Sequence, residues 1–421
     1  MSDFSLLIEP LPTGWTSSRF GDTCDLVKNS YQPVDGGDTP YVGLEHLAQG
    51  FPTFVGRGKE SEVKSSKTAF KVGDILFGKL RPYLRKGAQA DFDGVCSTDI
   101  LAFRAKPSCE PEFLKFVIHS DEFVSHAKST TSGVQHPRTS WPSLREFRLS
   151  LPPLLEQKKI AYILSTVQRA IEAQERIIQT TAELKKALMH KLFTEGLRNE
   201  PQKLTGIGPI PESWETPTVE SVCTIKSSAM SYKQLEDAPK VPDGVPVIGI
   251  KVSDMNLPGN EIEFRSANLE CYLTEEDALS RTVPANAIVF PKRGAAIATN
   301  KKRITTGHTV LDPNLIAVIP TKSVNHRYLF YWFNTFDLKK ITDPGPTPQL
   351  NKKDIAPLKF PMPTVEEQEA IARAIDAAEE KATLHMQKRD QLKDLFSTFL
   401  NKLMTARTRV HDIELGKEVV V

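Results

Sequence analysis

"LLEQKKIA" occupies Leu154–Ala161 and "VEEQEAIA" occupies Val365–Ala372, nearly the same phrase written twice, 211 residues apart. Laid over one another without a gap, residues 152–194 and 363–405 match Pro152 with Pro363, Glu156 with Glu367 and Gln157 with Gln368. Ile160 and Ala161 meet Ile371 and Ala372, Leu184 meets Leu395, and Lys191, Leu192 and Thr194 meet Lys402, Leu403 and Thr405. Upstream, "LPTGW" ending at Trp15 resembles "IPESW" ending at Trp214, "GDILFGKLR" (73–81) resembles "NAIVFPKRG" (286–294), and "EFLKFVIHS" (112–120) resembles "RYLFYWFNT" (327–335). Matches kept in one order along the chain indicate a duplication, and a duplication governs the reading of the whole fold.

Each repeat has two parts. The first is rich in Gly, Pro and short β-prone runs ("DILF", "ILAF", "AIVF", "LIAVI"), with "EFLKFVIHS" and "YLFYWFNTF" read as helices. The second is helical and begins directly after prolines; Thr364 and Glu367 have the spacing of a capping box. Apolar residues at Ile160, Leu164, Val167, Ile171, Ile178, Leu184, Leu188 and Leu192, and at Ile371, Ile375, Ala378, Ala382, Leu392, Phe399 and Leu403, step by about three and four, as a coiled-coil seam does. Gln174 and its counterpart His385 break the seam, and His385 reads as a solvated rim residue rather than a metal ligand. About 36 helical residues would make rods of about 54 Å. The expected class is α+β: two similar mixed α/β, β-dominated domains separated by two long antiparallel coiled-coil helices. The boundaries fall at 1–150 (first domain), 151–197 (central helix), 198–361 (linker and second domain), 362–410 (C-terminal helix) and 411–421 (tail).

No apolar run is long enough to suggest a membrane span, and the N-terminus does not read as a signal peptide. Five scattered cysteines without a CxxC pair suggest neither a disulfide framework nor a zinc site, and fit a reducing cytoplasm. The net charge of +2 is nearly neutral, so a case for nucleic acid rests on where charge sits. Residues 75–90 hold no acid but carry Lys79, Arg81, Arg85 and Lys86; residues 287–311 hold none but carry Lys292, Arg293, Lys301, Lys302 and Arg303. A second acid-free stretch precedes each helix, 127–145 with Gln135 and Arg138, and 344–353 with Gln349, Asn351 and Lys352. Arg and Lys suit phosphates and guanine edges, and Gln and Asn suit adenine. Solvated basic loops are common on any protein, but their recurrence at equivalent places favours DNA binding.

Catalytic signatures are missing from the chain: no GxxxxGK[ST], HExxH, GxSxG or Asn-Pro-Pro-aromatic tetrapeptide occurs. Asp91 and Asp93 read as turn residues rather than a nuclease pair. The expectation is a chain that binds and positions without catalysing.

"LPPLLEQKKIA", "GDILFGKLRPYL", "CSTDILAF", "PRTSWPSL", "TAELKKALMHKLFTEGL", "VFPKRGAAI" and "LNKKDI" together resemble the specificity subunit of type I restriction–modification systems, over nearly the entire chain. The resemblance implies two target-recognition domains that read the halves of a bipartite, asymmetric site in double-stranded DNA, with the helices setting the unread spacer. It implies docking of two modification (methyltransferase) subunits, which bind S-adenosylmethionine and methylate adenine N6, and restriction subunits, which use ATP and Mg²⁺; this chain itself would bind no cofactor. It places Lys79, Arg81, Lys292 and Arg293 on DNA-facing loops and Gln135, Arg138, Gln349 and Asn351 near the groove. "TAEL" (181–184), a unit repeated in some members, occurs once here. "FTEGL" (193–197) has no echo after Thr405. A coiled-coil scaffold joining two protein-binding domains, and a stand-alone nuclease, are the competing readings.

Overall fold

A computed structural model describes residues 11–239, 241–342 and 348–410. The expected 411–421 tail therefore lies outside the described residues. The chain divides into two compact units, one running to Arg176 and resuming at His385, the other spanning Ile177–Leu384. The division cuts both long helices near their middles, so each unit owns a stretch of each helix.

In the first unit, β1 (Cys24–Leu26), β2 (Ile75–Gly78), β3 (Gly87–Gln89) and β4 (Ile100–Ala105) form an antiparallel sheet in the order β1-β4-β2-β3. Successive side chains of a strand point to opposite faces. Ile75 and Phe77 accordingly join one core with Phe103 and Phe113, while Leu76 joins another with Ala88 and Ala102. That double burial is why "ILF" (75–77) is apolar without alternation. A second sheet of five short strands contains one parallel pair, Pro40–Val42 with Gly94–Cys96. Helix α1 (Pro111–Val117) and the start of α2 (Leu154–Glu195) close the first core.

The second unit repeats this plan. Strands β5 (Cys223–Lys226), β6 (Ile288–Pro291), β7 (Arg303–Ile304) and β8 (Leu315–Pro320) pair antiparallel in the order β5-β8-β6-β7. Ile288 and Phe290 face one core and Val289 the other. The additional sheet again has one parallel pair, Val245–Ile250 with His308–Leu311. Helix α3 (His326–Asn334) buries Tyr328 through Phe333, and α4 (Val365–Met404) completes the set.

The repeated "EQ" of the opening phrase docks each long helix. Gln157 Nε2 donates to Pro152 O (2.9 Å) and Ser108 O (3.1 Å), and its Oε1 accepts from Glu110 N (2.8 Å). Gln368 makes the same three bonds, to Pro363 O (3.0 Å), Ser323 O (3.1 Å) and Asn325 N (2.8 Å). Glu156 binds Arg409 (2.8 Å) and accepts from Trp15 Nε1 (3.0 Å); Glu367 binds Arg198 (3.4 Å) and accepts from Leu197 N (3.1 Å). Arg198 and Arg409 are thus an echo beyond the helix ends that sequence comparison did not find. The capping box is modified: Thr364 Oγ1 accepts from Glu367 N (3.4 Å), but the Glu367 carboxylate turns to Leu197 and Arg198.

The helices are longer than expected, 42 and 40 residues, about 63 and 60 Å. Within each unit their stretches run antiparallel: Glu156 meets Arg409 and Glu175 meets Lys393 (2.9 Å) in the first, while Lys185 meets Glu379 and Arg198 meets Glu367 in the second. The seam passes through Gln174, Ile178, Thr181, Lys185 and Leu188 in strict alternation of four and three. Leu184 is 64% exposed and lies off it, a correction to the expected frame. Its equivalent Leu395 is also exposed, while Phe396 takes the seam position. Gln174 Oε1 and His385 Nδ1 meet at 2.7 Å, so His385 is a half-buried seam partner rather than a rim residue.

Candidate nucleic-acid interface

Beyond β2 the chain leaves the sheet and is caught by a segment that is distant in sequence. Lys79 N donates to Asp99 O (2.9 Å), Arg81 N to Pro137 O (2.8 Å), and Thr139 N to Lys79 O (3.1 Å). Ser132 and Arg138 exchange backbone bonds of 2.9 and 3.0 Å, which closes a short loop carrying Gln135. The Arg138 guanidinium grips both oxygens of Asp99 (2.8 and 3.2 Å), and that bond holds the Asp99 carboxyl below its usual range. Arg81 Nη2 reaches Gln135 O at 3.5 Å.

Beyond β6 the second unit makes the same clip. Lys292 N donates to Asn314 O (2.8 Å), Gly294 N to Pro348 O (2.9 Å), and Leu350 N to Lys292 O (2.9 Å). Arg293 bridges Gln349 as Leu80 bridges Arg138. A turn of 3₁₀ helix follows each clip, Pro82–Leu84 and Gly294–Thr299. Arg81 (φ 50°) and Gly294 (φ 64°) both sit in the left-handed region, as do Arg85 (φ 50°) and Asn300 (φ 53°) at the ends of those turns.

The clips gather Lys79, Arg81, Gln135 and Arg138 in one unit and Lys292, Arg293 and Gln349 in the other, with Asn351 and Lys352 following. Arg81, Gln135, Arg293, Gln349 and Lys352 are exposed; Lys79 and Lys292 are half-buried. Lys292 Nζ donates to Ser227 Oγ (3.2 Å), and burial together with neighbouring Arg293 lowers its pKa. Asn351 caps a short helix, its backbone N donating to Asp354 (2.7 Å).

The remaining cations are turned toward the protein. Arg85 binds Asp121 (2.5 Å) and His119 O (3.2 Å), and Lys86 donates to Leu44 O (2.6 Å). Lys301 bonds Asn256, and Arg303 donates to Lys302 O (2.7 Å) and Met255 O (3.0 Å). Lys302 is 1% exposed, its ammonium held by Asn300 Oδ1 (2.7 Å) and Phe336 O (3.1 Å), and burial pulls its pKa down to about 8. Asp99 is the partner that sequence reasoning missed, because it lies 39 positions before Arg138, a separation that leaves no spacing signal.

Among the described residues no cluster of three or more His, Cys, Asp or Glu is placed to hold a metal. Asp93 receives Lys71 Nζ (2.7 Å) and Val72 N (2.9 Å), a turn-closing role. No described helix is long and apolar enough to cross a membrane.

The family model described as "Type I restriction modification DNA specificity domain" matches residues 12–181 and 211–394, one copy on each repeat. The type I restriction enzyme MjaVIII specificity subunit of Methanocaldococcus jannaschii is 23% identical over 430 residues, covering 96% of this chain and 95% of its own. The EcoDI specificity subunit of Escherichia coli is 30% identical over 156 residues, 36% of this chain and 34% of its own. The crystal structure of the type I restriction–modification S subunit from M. genitalium shares the fold, with a TM-score of 0.58 at 15% identity over 94% of this chain and 97% of that one. Two copies of one domain model, two copies of one sheet plan and two copies of one clip agree: the chain belongs to the type I restriction–modification DNA specificity family.

Proposed function

We propose that the chain reads a bipartite, asymmetric site in double-stranded DNA, one half with each clip, and positions two adenine-N6 methyltransferase subunits and restriction subunits upon it. The observation that carries this reading is the recurrence of one backbone clip joining a basic segment to a Gln- or Arg-bearing segment in both units. Arg81, Gln135, Arg293 and Gln349 are exposed on those clips, the residue types that contact phosphates and base edges. Exposed Leu184 and Leu395, at equivalent positions off the seam, supply matching apolar docking points for two partner subunits. S-adenosylmethionine belongs to the methyltransferase subunits and ATP with Mg²⁺ to the restriction subunits, while this chain supplies specificity alone. The long helices fix the number of unread base pairs.

Adenine-methylation mapping of DNA from cells that express this chain with its methyltransferase subunits tests the proposal. A single two-part motif, lost when the chain is deleted, is expected; methylation indifferent to the deletion would favour a scaffold. Arg293→Ala should weaken binding and, for a phosphate contact, lower the salt slope by about 0.9.

A further inference from the structure

Val134 stands at the tip of the loop closed by Ser132 and Arg138, fully exposed at 101% of its reference area. A lone exposed valine is ordinary on a protein surface; this one has an unusual setting. The loop is closed by paired backbone bonds at 132 and 138 and tied to Arg81 at Pro137. Gly133 turns it through φ 91°, where a Cβ would come within 3.2 Å of His136 O. On either side stand exposed Ser132, Gln135 and His136, with exposed Arg81 beneath. The result is a stiff, β-branched apolar group held outward among hydrogen-bonding neighbours.

We propose that Val134 is a thymine reader, its methyl groups packing on the C5-methyl of one thymine in the half-site read by the first unit. The inference rests on the DNA-reading function above. The thymine methyl is the one base feature of the major groove that an apolar side chain recognises. Side chains that wedge between base pairs are larger or stiffer, chiefly Phe, Leu, Ile, Met and Pro. Gln135, the next residue, suits adenine in the same groove.

The test uses the full chain assembled with its methyltransferase subunits and a random duplex pool synthesised with thymine. The selected duplex is then remade with uracil, which lacks only the methyl, at each thymine in turn. The wild type and Val134→Ile should bind about fourfold more weakly to one uracil-substituted duplex, the value of one buried methyl-sized group, and Val134→Ser should show a ratio near one at that position. An unchanged ratio in Val134→Ser, or no uracil-sensitive position in either half, overturns the assignment. Failure of the wild-type complex to select any motif would instead overturn the DNA-reading function beneath it.

Discussion

Arg81 and Gly294 occupy the same place in the two clips, yet only glycine adopts a left-handed backbone without steric cost. An arginine persists in such a conformation where the surroundings over-determine it, and here the bonds at Pro137 and Lys79 do so. Arg81→Gly should therefore leave thermal stability unchanged or raise it by up to about 1 kcal/mol, while DNA affinity falls. A loss of stability comparable to a core substitution would show that the side chain supports the fold instead. Lys302 makes the opposite point. Its pKa of about 8 in the folded chain lies below that of an unfolded lysine, so the folded state releases its proton first as pH rises. Stability should then increase between about pH 8 and 10.5, on the order of 3 kcal/mol relative to Lys302→Met; parallel pH profiles of the two proteins would contradict this. Both residues lie in acid-free stretches of sequence. Charge pattern locates such stretches, but it does not tell a cation that faces solvent from one enclosed by Phe336 and Asn300.

At the level of the element, the long helices were the most legible part of the sequence, because prolines mark their starts and a gapless repeat carries their pattern. The seam frame was misread where polar residues hold it. Thr181 and Lys185 keep the alternation, and the conspicuous Leu184 lies outside it. Gln174 and His385 are equivalent positions of the two repeats that bond to each other across the antiparallel pair. Replacing both by leucine should stabilise the chain by about 1–2 kcal/mol, whereas His385→Leu alone strands the Gln174 amide and should cost about 1 kcal/mol. A double-mutant cycle by thermal unfolding measures the coupling. Gln157→Leu leaves the Glu110 N–H and two carbonyls without their partner. It should cost roughly 2–4 kcal/mol, and a loss under 1 kcal/mol would mean that water replaces the amide.

For the whole molecule, the duplication was legible because apolar strands and helix starts repeat as letters. The clips were not, because they are made between peptide groups and leave no side-chain signature. Their two separately read segments meet only in the folded chain. If each unit reads its own half, Gln349→Ala should relax one position of one half-motif, at about 1–3 kcal/mol of discrimination, and leave the other half intact. Methylation mapping of the variant reads this directly, and blurring of both halves would contradict it. The clips also bear on how such a protein changes over generations. A joint fastened by main-chain N–H and C=O groups is indifferent to most of the side chains it displays. If the clips read the DNA as proposed, single substitutions can rewrite the address while the chain still folds, and new targets lie one step away rather than behind a valley of misfolded intermediates.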